Sequence, residues 1–439
     1  MSLRNSRKKS INIVTMGCSK NLVDSEFIIT RFAASGWKIE FDANSFDQDV
    51  VIINTCGFIH DAKQESIDVI LEYAMAKNLG KIGQLLVIGC LSERYKEALI
   101  NEIPEADLVL GVEAFDELTR IYNLDKIKCS TDSRIISTPS HYAYLKISEG
   151  CDRKCSFCVI PQIRGRHISR PVGELINEAE SLVSKGVKEL IIIAQDTTWY
   201  GTDLYGKKKL ADLIEQLEKI IGIEWIRIHY AFPADFPDEL LELMEKSNVI
   251  CKYLDIPIQH ITDKMLKNMR RGINREKTIQ LINKIRAKVP GIAIRTTLLT
   301  GHPGETEEDF IYLKEFVKSV KFERLGVFPY SHEENTYAFR QFKDNIKDAE
   351  KNRRVSELMQ IQQEISISLN RNKIGKVFRV LVDREDDDFF YARTEYDSPE
   401  VDNEVIIKKP GNASPGNFCV VRITGAGEFD LFAEVVNCL

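Results

Sequence analysis

The 439-residue sequence contains no apolar run that approaches the roughly 18–20 residues needed to cross a membrane. It also lacks an excess of positive charge, since 60 Lys and Arg stand against 66 Asp and Glu and the formal net charge is −6. No global basic field therefore draws the chain to nucleic acid or to anionic lipid. After the basic start of the chain, the apolar stretch Ile11–Met16 is too short for a signal peptide. These absences predict a cytoplasmic protein without a membrane anchor.

Cysteine, by contrast, is abundant for a cytoplasmic chain, with ten residues. Disulfides rarely persist in that compartment, so grouped cysteines favour metal binding or catalysis. Six of the ten form two sets of three. The other four have no partner at a useful spacing and are predicted to be inert, small apolar residues: Cys129, Cys251, Cys419 and Cys438.

The sequence pattern divides the chain into three parts and predicts an α/β class of fold. Residues 9–128 alternate short β-rich runs with helical periodicity, which predicts a parallel sheet covered by helices on both faces. Residues 137–370 contain six further strand–helix units, too few for a closed eight-stranded barrel, so we expect a partial barrel. Residues 373–439 form short β-rich runs separated by Gly, Pro, Asp and Asn, which predicts a small β-barrel.

The first set of cysteines has the spacing C-x3-C-x2-C and consists of Cys151, Cys155 and Cys158. Thiolates are the usual ligands of iron–sulfur clusters, and three of them leave one iron of a 4Fe–4S cube open. An open position can bind a substrate. The amino and carboxylate groups of S-adenosylmethionine suit it, and an electron from the cluster would then release a 5′-deoxyadenosyl radical. The alternative is a structural zinc site, for which His167 is the only nearby histidine and no second cysteine pair lies at zinc-finger distance.

The second set consists of Cys18, Cys56 and Cys90, each of which directly follows a predicted strand. Strands of a parallel sheet end on one edge, and open α/β folds bind ligands at that edge. The three cysteines can therefore meet at one point and hold a second cluster with its own open iron. The alternative is three unrelated buried thiols, because free cysteine is often buried.

The residues around both sets resemble known families. The C-x3-C-x2-C motif after a first barrel strand, with Phe157 before the last cysteine, resembles the radical S-adenosylmethionine superfamily. With GCSKNLVDSE (17–26) and NTCGFIHDAKQES (54–66), the whole chain resembles the methylthiotransferase family. The resemblance implies an enzyme with two 4Fe–4S clusters, S-adenosylmethionine and a TRAM-type barrel. It implies that the core cluster makes a radical that abstracts hydrogen from substrate carbon, and that the second cluster supplies sulfur, which is then methylated.

Three further residues are candidates to contact S-adenosylmethionine. Phe157 would pack against it, Gln195 ends the second core strand, and Arg295 lies within the fifth and could pair with its carboxylate. For Gln195 and Arg295, an ordinary core or rim contact is the alternative. Arg164 and the arginines that follow it could grip substrate or only cap the cysteine loop, and the sequence does not decide between the two.

The family modifies either an adenosine of tRNA or an aspartate of small-subunit ribosomal protein S-twelve. Residues 373–439 carry 8 Lys and Arg and 13 Asp and Glu, including the acidic run Asp383–Asp388. Such a barrel would repel RNA and attract a basic ribosomal protein, although an acidic loop can also serve solubility alone. The segments HYAYLKISEGC (141–151), AQDTTWYG (194–201) and YDSPEVDNEV (396–405) resemble the ribosomal-protein branch of the family.

We therefore expect methylthiolation of the β-carbon of an aspartate in ribosomal protein S-twelve. The same chemistry on tRNA adenosine is the alternative, and a non-catalytic metal-binding protein that docks on ribosomes is the rival of another class. The other expected partners are an external electron donor and a sulfur donor. Neither a membrane nor a direct nucleic-acid substrate is expected.

Overall fold

The computed structural model describes residues 8–43, 45–124, 134–409 and 413–438. Cys129 and the basic start of the chain, residues 1–7, lie outside the described residues. Within the described ranges, no helix combines the length and the apolar character needed to span a bilayer.

The first part of the chain forms the N-terminal domain, a five-stranded parallel sheet with the strand order β2-β1-β3-β4-β5. Its strands are β1 (Ser10–Thr15), β2 (Lys38–Phe41), β3 (Val50–Thr55), β4 (Gln84–Gly89) and β5 (Leu108–Val109). Its helices are α1 (Ser19–Ala34), α2 (His60–Asn78), α3 (Cys90–Glu102) and α4 (Ala114–Ile121). The predicted parallel sheet is confirmed, and the prediction missed only the short edge strand β2.

Both faces of this sheet are buried, which explains why its strands lack polar alternation. On one face Ile52 of β3 packs with Phe32 of α1, and on the other Ile53 packs with Ile70 of α2. Strand β2 escaped prediction because its four residues are exposed or half-buried at the edge of the sheet and carry little apolar signal.

The second part forms the central domain, an open sheet of six parallel strands in the order β13-β12-β11-β10-β9-β6. These strands are β6 (Tyr142–Lys146), β9 (Glu189–Ile193), β10 (Trp225–Ile228), β11 (Ile250–Asp255), β12 (Ala293–Thr300) and β13 (Arg324–Pro329). A separate antiparallel pair consists of β7 (Ser148–Glu149) and β8 (Ile168–Ser169). The predicted partial barrel of six units is confirmed.

The helices of the central domain are α5 (Ile160–Ile163), α6 (Val172–Ser184), α7 (Thr202–Tyr205), α8 (Leu210–Leu217), α9 (Asp238–Lys246), α10 (Asp263–Asn268), α11 (Arg275–Lys288), α12 (Glu307–Val320), α13 (Tyr337–Gln341) and α14 (Asp348–Arg371). The longer ones, α6, α8, α9, α11, α12 and α14, pack with the sheet in one large apolar core, whereas Ile163 of α5 packs against Cys90 of the N-terminal domain. A short 3-10 turn, Thr197–Trp199, follows β9.

The third part is a closed five-stranded barrel with the strand order β14-β15-β16-β18-β17. Its strands are β14 (Val377–Glu385), β15 (Phe389–Thr394), β16 (Val405–Lys408), β17 (Phe418–Ala426) and β18 (Leu431–Cys438). The predicted small β-barrel is confirmed.

The prediction that Cys419 and Cys438 have no partner is wrong. They are direct neighbours in the antiparallel register of β17 and β18, and a disulfide joins them. Their separation of 19 residues gave no indication, because the pairing depends on the strand register. Cys251 is buried and free, as predicted.

The barrel covers the amino-terminal ends of the central strands through buried charges. Glu189 at the start of β9 pairs with Arg227 of β10 and with Arg393 of the barrel, both at 2.7 Å. Arg393 also pairs with Asp383, whose second partner is His141 at 2.8 Å. Because these groups neutralise one another, the interface buries charge without leaving it unpaired.

Candidate functional site

The C-x3-C-x2-C motif lies on a loop that leaves the central sheet through β7 and returns through β8. The amide of Cys151 donates to the carbonyl oxygen of Gly165 at 3.2 Å, and the amide of Cys158 donates to that of Cys155 at 3.2 Å. Gly150 has φ +71, and a Cβ there would overlap the carbonyl oxygen of Arg166. Only glycine allows the two ends of the loop to approach this closely.

The three sulfurs of this loop influence one another. Burial, with smaller contributions from Asp196 and the neighbouring Cys155, raises the pKa of Cys151 to about 12. Burial also raises the pKa of Cys158, and both Cys155 and Cys151 add to that effect. Thiolates so close together repel one another, and bonds to iron would stabilise them.

The second set is brought together by two glycines next to its cysteines. A Cβ on Gly17, which precedes Cys18, would lie 2.8 Å from the sulfur of Cys56. A Cβ on Gly57, which follows Cys56, would lie 2.8 Å from the carbonyl oxygen of Cys90. The three strand-end loops therefore touch, as the edge of a parallel sheet requires.

The sulfurs of the second set also share one environment. Burial, with smaller contributions from Cys18 and Cys90, raises the pKa of Cys56 to about 11. Burial raises the pKa of Cys90, while Arg164 lowers it and Cys18 raises it. The three cysteines of the second predicted trio are thus neighbours at one edge of the N-terminal sheet.

Neither trio has the geometry of a closed site for a single ion. Among the residues that the structure describes, no three His, Cys, Asp or Glu side chains surround one point as the ligands of a zinc ion would. A 4Fe–4S cube takes each thiolate on a different iron, so its ligands stand further apart. Three cysteine donors in each group fit such a cube.

A cleft of about 770 Å³ borders both cysteine loops through one phenylalanine of each, while none of the six cysteines lines it. Phe157, next to Cys158, lines it from the central domain, and Phe58, two residues after Cys56, lines it from the N-terminal domain. Thr297 of β12 also faces the cleft. A molecule in this space would lie beside both loops.

Five buried polar atoms in or close to the C-x3-C-x2-C loop have no hydrogen-bond partner within the described part of the chain. They are Ser148 Oγ, Arg153 Nη2, His167 Nδ1, Gln195 Oε1 and Arg271 Nε. Buried polar groups are nearly always satisfied, so these atoms indicate a polar ligand. Their donors and acceptors fit the amino, carboxylate and hydroxyl groups of S-adenosylmethionine.

The structure places the three predicted cofactor contacts in different surroundings. Phe157 is half-buried in the cleft. Gln195 donates from its amide nitrogen to Glu149 Oε1 at 2.6 Å and leaves its oxygen free of partners in the described chain. Arg295 lies 3.1 Å from Asp255 and 3.4 Å from Asp402, a residue of the barrel. A cofactor role for each of them stays a prediction.

Arg164 caps the cysteine loop and ties it to the N-terminal domain. Its guanidinium donates to Asp24 at 2.6 Å and to Glu149 at 3.1 Å. It also donates to Asn21, whose side-chain oxygen is 3.8 Å from the sulfur of Cys90. These contacts match the alternative in which Arg164 caps the cysteine loop.

Sequence reasoning missed two cations at the cysteine loops. Arg271 donates to Cys155 Sγ at 3.0 Å, and Arg94 donates to the carbonyl oxygen of Gly57 at 2.7 Å. Arg94 lies one helical turn after Cys90 in α3, and this spacing was a signal that could have identified it. Arg271 follows α10, no spacing links it to a cysteine motif, and only tertiary packing brings it to the site.

Three family models match successive parts of the chain. The radical SAM superfamily matches residues 145–317, an uncharacterised protein family designated UPF0004 matches residues 10–111, and the TRAM domain matches residues 374–436.

Full-length relatives share about half of the residues. The chain is 52% identical over 433 residues to the ribosomal protein uS12 methylthiotransferase RimO of Phocaeicola vulgatus, which covers 98% of this chain and 100% of the relative. It is 49% identical over 438 residues to the protein of the same name from Cytophaga hutchinsonii, which covers all of both chains.

Solved structures share the fold at much lower identity. The radical S-adenosylmethionine methyltransferase TsrM from Kitasatospora setae has a TM-score of 0.53 and 14% identity, and the match covers 73% of this chain and 75% of that one. The cobalamin-dependent S-adenosylmethionine radical enzyme OxsB has a TM-score of 0.50 and 12% identity, over 81% of this chain and 56% of that one.

Proposed function

Because the chain belongs to the RimO family of ribosomal protein uS12 methylthiotransferases, we propose that it attaches a methylthio group to the β-carbon of an aspartate in ribosomal protein uS12. The observation that carries this proposal is the cleft with a cysteine loop on each side, lined by Phe157 and Phe58. Sulfur insertion at an unactivated carbon needs a radical source and a sulfur source that both reach one substrate carbon. The cleft supports the proposal because it borders both cysteine loops.

We assign one 4Fe–4S cluster to each cysteine trio. Cys151, Cys155 and Cys158 would hold the radical-generating cluster with S-adenosylmethionine. The sulfur-insertion cluster would be held by Cys18, Cys56 and Cys90. When bound, these cofactors supply the electron, the radical, the sulfur and the methyl group of the reaction.

The protein's own part is to bind, orient and exclude water. Phe157 and Phe58 line the cleft with apolar surface, which limits water near a reactive carbon radical. Gln195 keeps a free acceptor for the amino group of S-adenosylmethionine, and Arg295, held by two carboxylates, is proposed to contact its carboxylate. Precise placement of the reacting groups supplies much of the rate.

Charge in the cleft supports a basic protein segment as substrate, because four carboxylates face two lysines there: Asp61, Glu333, Asp344 and Asp348 against Lys63 and Lys351. Lys351 pairs with Asp344 and Asp348, and Lys63 pairs with Glu333, so the net negative charge is small. The acidic run of the barrel contributes less than its sequence suggests, because Asp383 is paired inside the interface and Asp386 hydrogen bonds within its own turn. We propose a cytoplasmic location, and an external electron donor and a sulfur donor complete the proposed partners.

Mass spectrometry of uS12 tests the proposal. The protein should gain the mass of a methylthio group on one aspartate when isolated from cells that express this chain, and not from cells that express its Cys155→Ala variant. Cys251→Ala, which removes a buried cysteine outside both trios, should preserve the modification. A methylthio group on tRNA adenosine with uS12 unmodified would contradict the proposal and favour the alternative substrate.

A further inference from the structure

Arg271 is a buried cation at the radical cysteine loop. The residue follows α10, and 3% of its surface is exposed. Its Nη1 donates to Cys155 Sγ at 3.0 Å, and its Nη2 donates to the carbonyl oxygen of Pro257. The guanidinium carbon lies 4.2 Å from the centre of the Phe232 ring. These contacts fix the guanidinium against the sulfur.

No carboxylate within the described ranges forms an ion pair with this guanidinium, and its Nε is buried without an acceptor there. The other arginines near the loop are compensated: Arg153 pairs with Asp196 at 2.7 Å, and Arg164 pairs with Asp24. Leaving a buried charge unpaired is unfavourable, so such charges are retained where an anion meets them.

We propose that Arg271 is the cationic partner of the cluster held by Cys151, Cys155 and Cys158, and that it makes this cluster easier to reduce. The inference rests on the cluster assignment of the proposed function. The redox step takes one electron from an external low-potential one-electron donor, which is thereby oxidised, and no bond forms or breaks. The electron adds a negative charge beside the guanidinium, whose attraction and hydrogen bond to sulfur favour the reduced state.

The test compares Arg271→Met with Arg270→Met in a background in which Cys18, Cys56 and Cys90 are replaced by alanine. Arg270 is the exposed neighbour, and its guanidinium carbon lies 4.5 Å from the centre of the Tyr337 ring. After anaerobic reconstitution, iron content and an EPR-monitored redox titration are measured without substrate. Arg271→Met should shift the cluster's reduction potential to more negative values, and Arg270→Met should leave it unchanged.

An unchanged potential in Arg271→Met with full iron content would overturn the inference. If Arg271→Met loses its cluster, the comparison of Arg271→Lys with Arg271→Gln tests the inference instead. Lysine keeps the positive charge, whereas glutamine keeps only a hydrogen-bond donor. Lysine should then keep the potential closer to that of the parent than glutamine does, and equal potentials would overturn the inference. If the parent background itself binds no iron, the cluster assignment fails instead.

Discussion

Glu333 of the central domain lies 2.8 Å from Arg94 of the N-terminal domain. The same carboxylate oxygen is 2.9 Å from Lys63, and Arg94 donates in turn to the carbonyl oxygen of Gly57. Glu333 is almost fully buried. Burial would raise its pKa, but hydrogen bonds from Ser331, Lys63 and Arg94 hold the pKa below its ordinary value. The contact therefore holds the loop after Cys56 against the central domain.

Glu333→Gln should separate the cleavage of S-adenosylmethionine, which continues, from methylthiolation of the substrate, which falls. The substitution leaves two half-buried cations, Lys63 and Arg94, without their counter-charge, so the Cys56 loop should move relative to the cleft. Formation of 5′-deoxyadenosine should continue, while methylthiolated product falls by roughly tenfold or more, since small displacements in an active site cost that much. Both products are measured by chromatography in one assay. Glu334→Gln, at the exposed neighbouring residue, is the control, and equal ratios in the two variants would contradict this role.

Iron analysis should separate the two trios. Anaerobically reconstituted wild-type protein should hold about eight irons per chain, because two cubes contain four irons each. Cys56→Ala and Cys155→Ala should each reduce this to about four, and only Cys155→Ala should abolish cleavage of S-adenosylmethionine. Cys251→Ala should keep the full content. Stoichiometric zinc in place of iron would support the non-catalytic alternative.

The sequence predicted those parts of the site that depend on strand ends. Cys18, Cys56 and Cys90 could be placed together because parallel strands end at one edge of a sheet. The C-x3-C-x2-C loop is a local motif and needs no tertiary information. Arg271 and Glu333, in contrast, reach the cysteine loops through irregular segments whose course depends on packing, so no local pattern identifies them.

The β-barrel shows the same limit of prediction from sequence. Its five strands follow from alternating apolar residues and turn residues, but their register does not, and the partnership of Cys419 with Cys438 was therefore missed. The charge count of 373–439 likewise treated Asp383 as part of a free acidic run. In the fold this carboxylate meets His141 and Arg393, because the barrel docks on the central domain at that position.

Asp383→Asn should lower the free energy of unfolding at neutral pH. Burial would raise the pKa of Asp383, but Arg393 and His141 outweigh it and lower the pKa to about 2 from an ordinary value of 3.8. A carboxyl whose pKa is lowered by folding stabilises the fold above its ordinary pKa, and that stabilisation is lost as the pH falls towards 2. The shift corresponds to about 2 kcal/mol.

Urea unfolding at several pH values checks this expectation. The unfolding midpoint of Asp383→Asn should be below that of the wild type from pH 8 to about pH 5, and the difference should shrink below about pH 4. Asp387→Asn, in the exposed part of the same acidic run, should match the wild type. A difference between Asp383→Asn and the wild type that stays constant down to pH 3 would contradict the assignment.

The bond between Cys419 and Cys438 should matter only under oxidising conditions. A cross-link between residues 19 apart restricts the unfolded chain and stabilises the fold by about 3 kcal/mol, whereas the reduced barrel keeps the hydrogen bonds between β17 and β18. In air, the unfolding midpoint of wild-type protein should exceed that of Cys438→Ser, and added reductant should bring the two together. Peptide mapping without reduction should recover the two cysteines linked in wild-type protein.

In reducing buffer, Cys438→Ser should retain full methylthiolation activity, because the bond lies in the barrel, away from the cysteine loops that border the cleft. Loss of activity in that buffer would show instead that the Cys438 side chain supports the site.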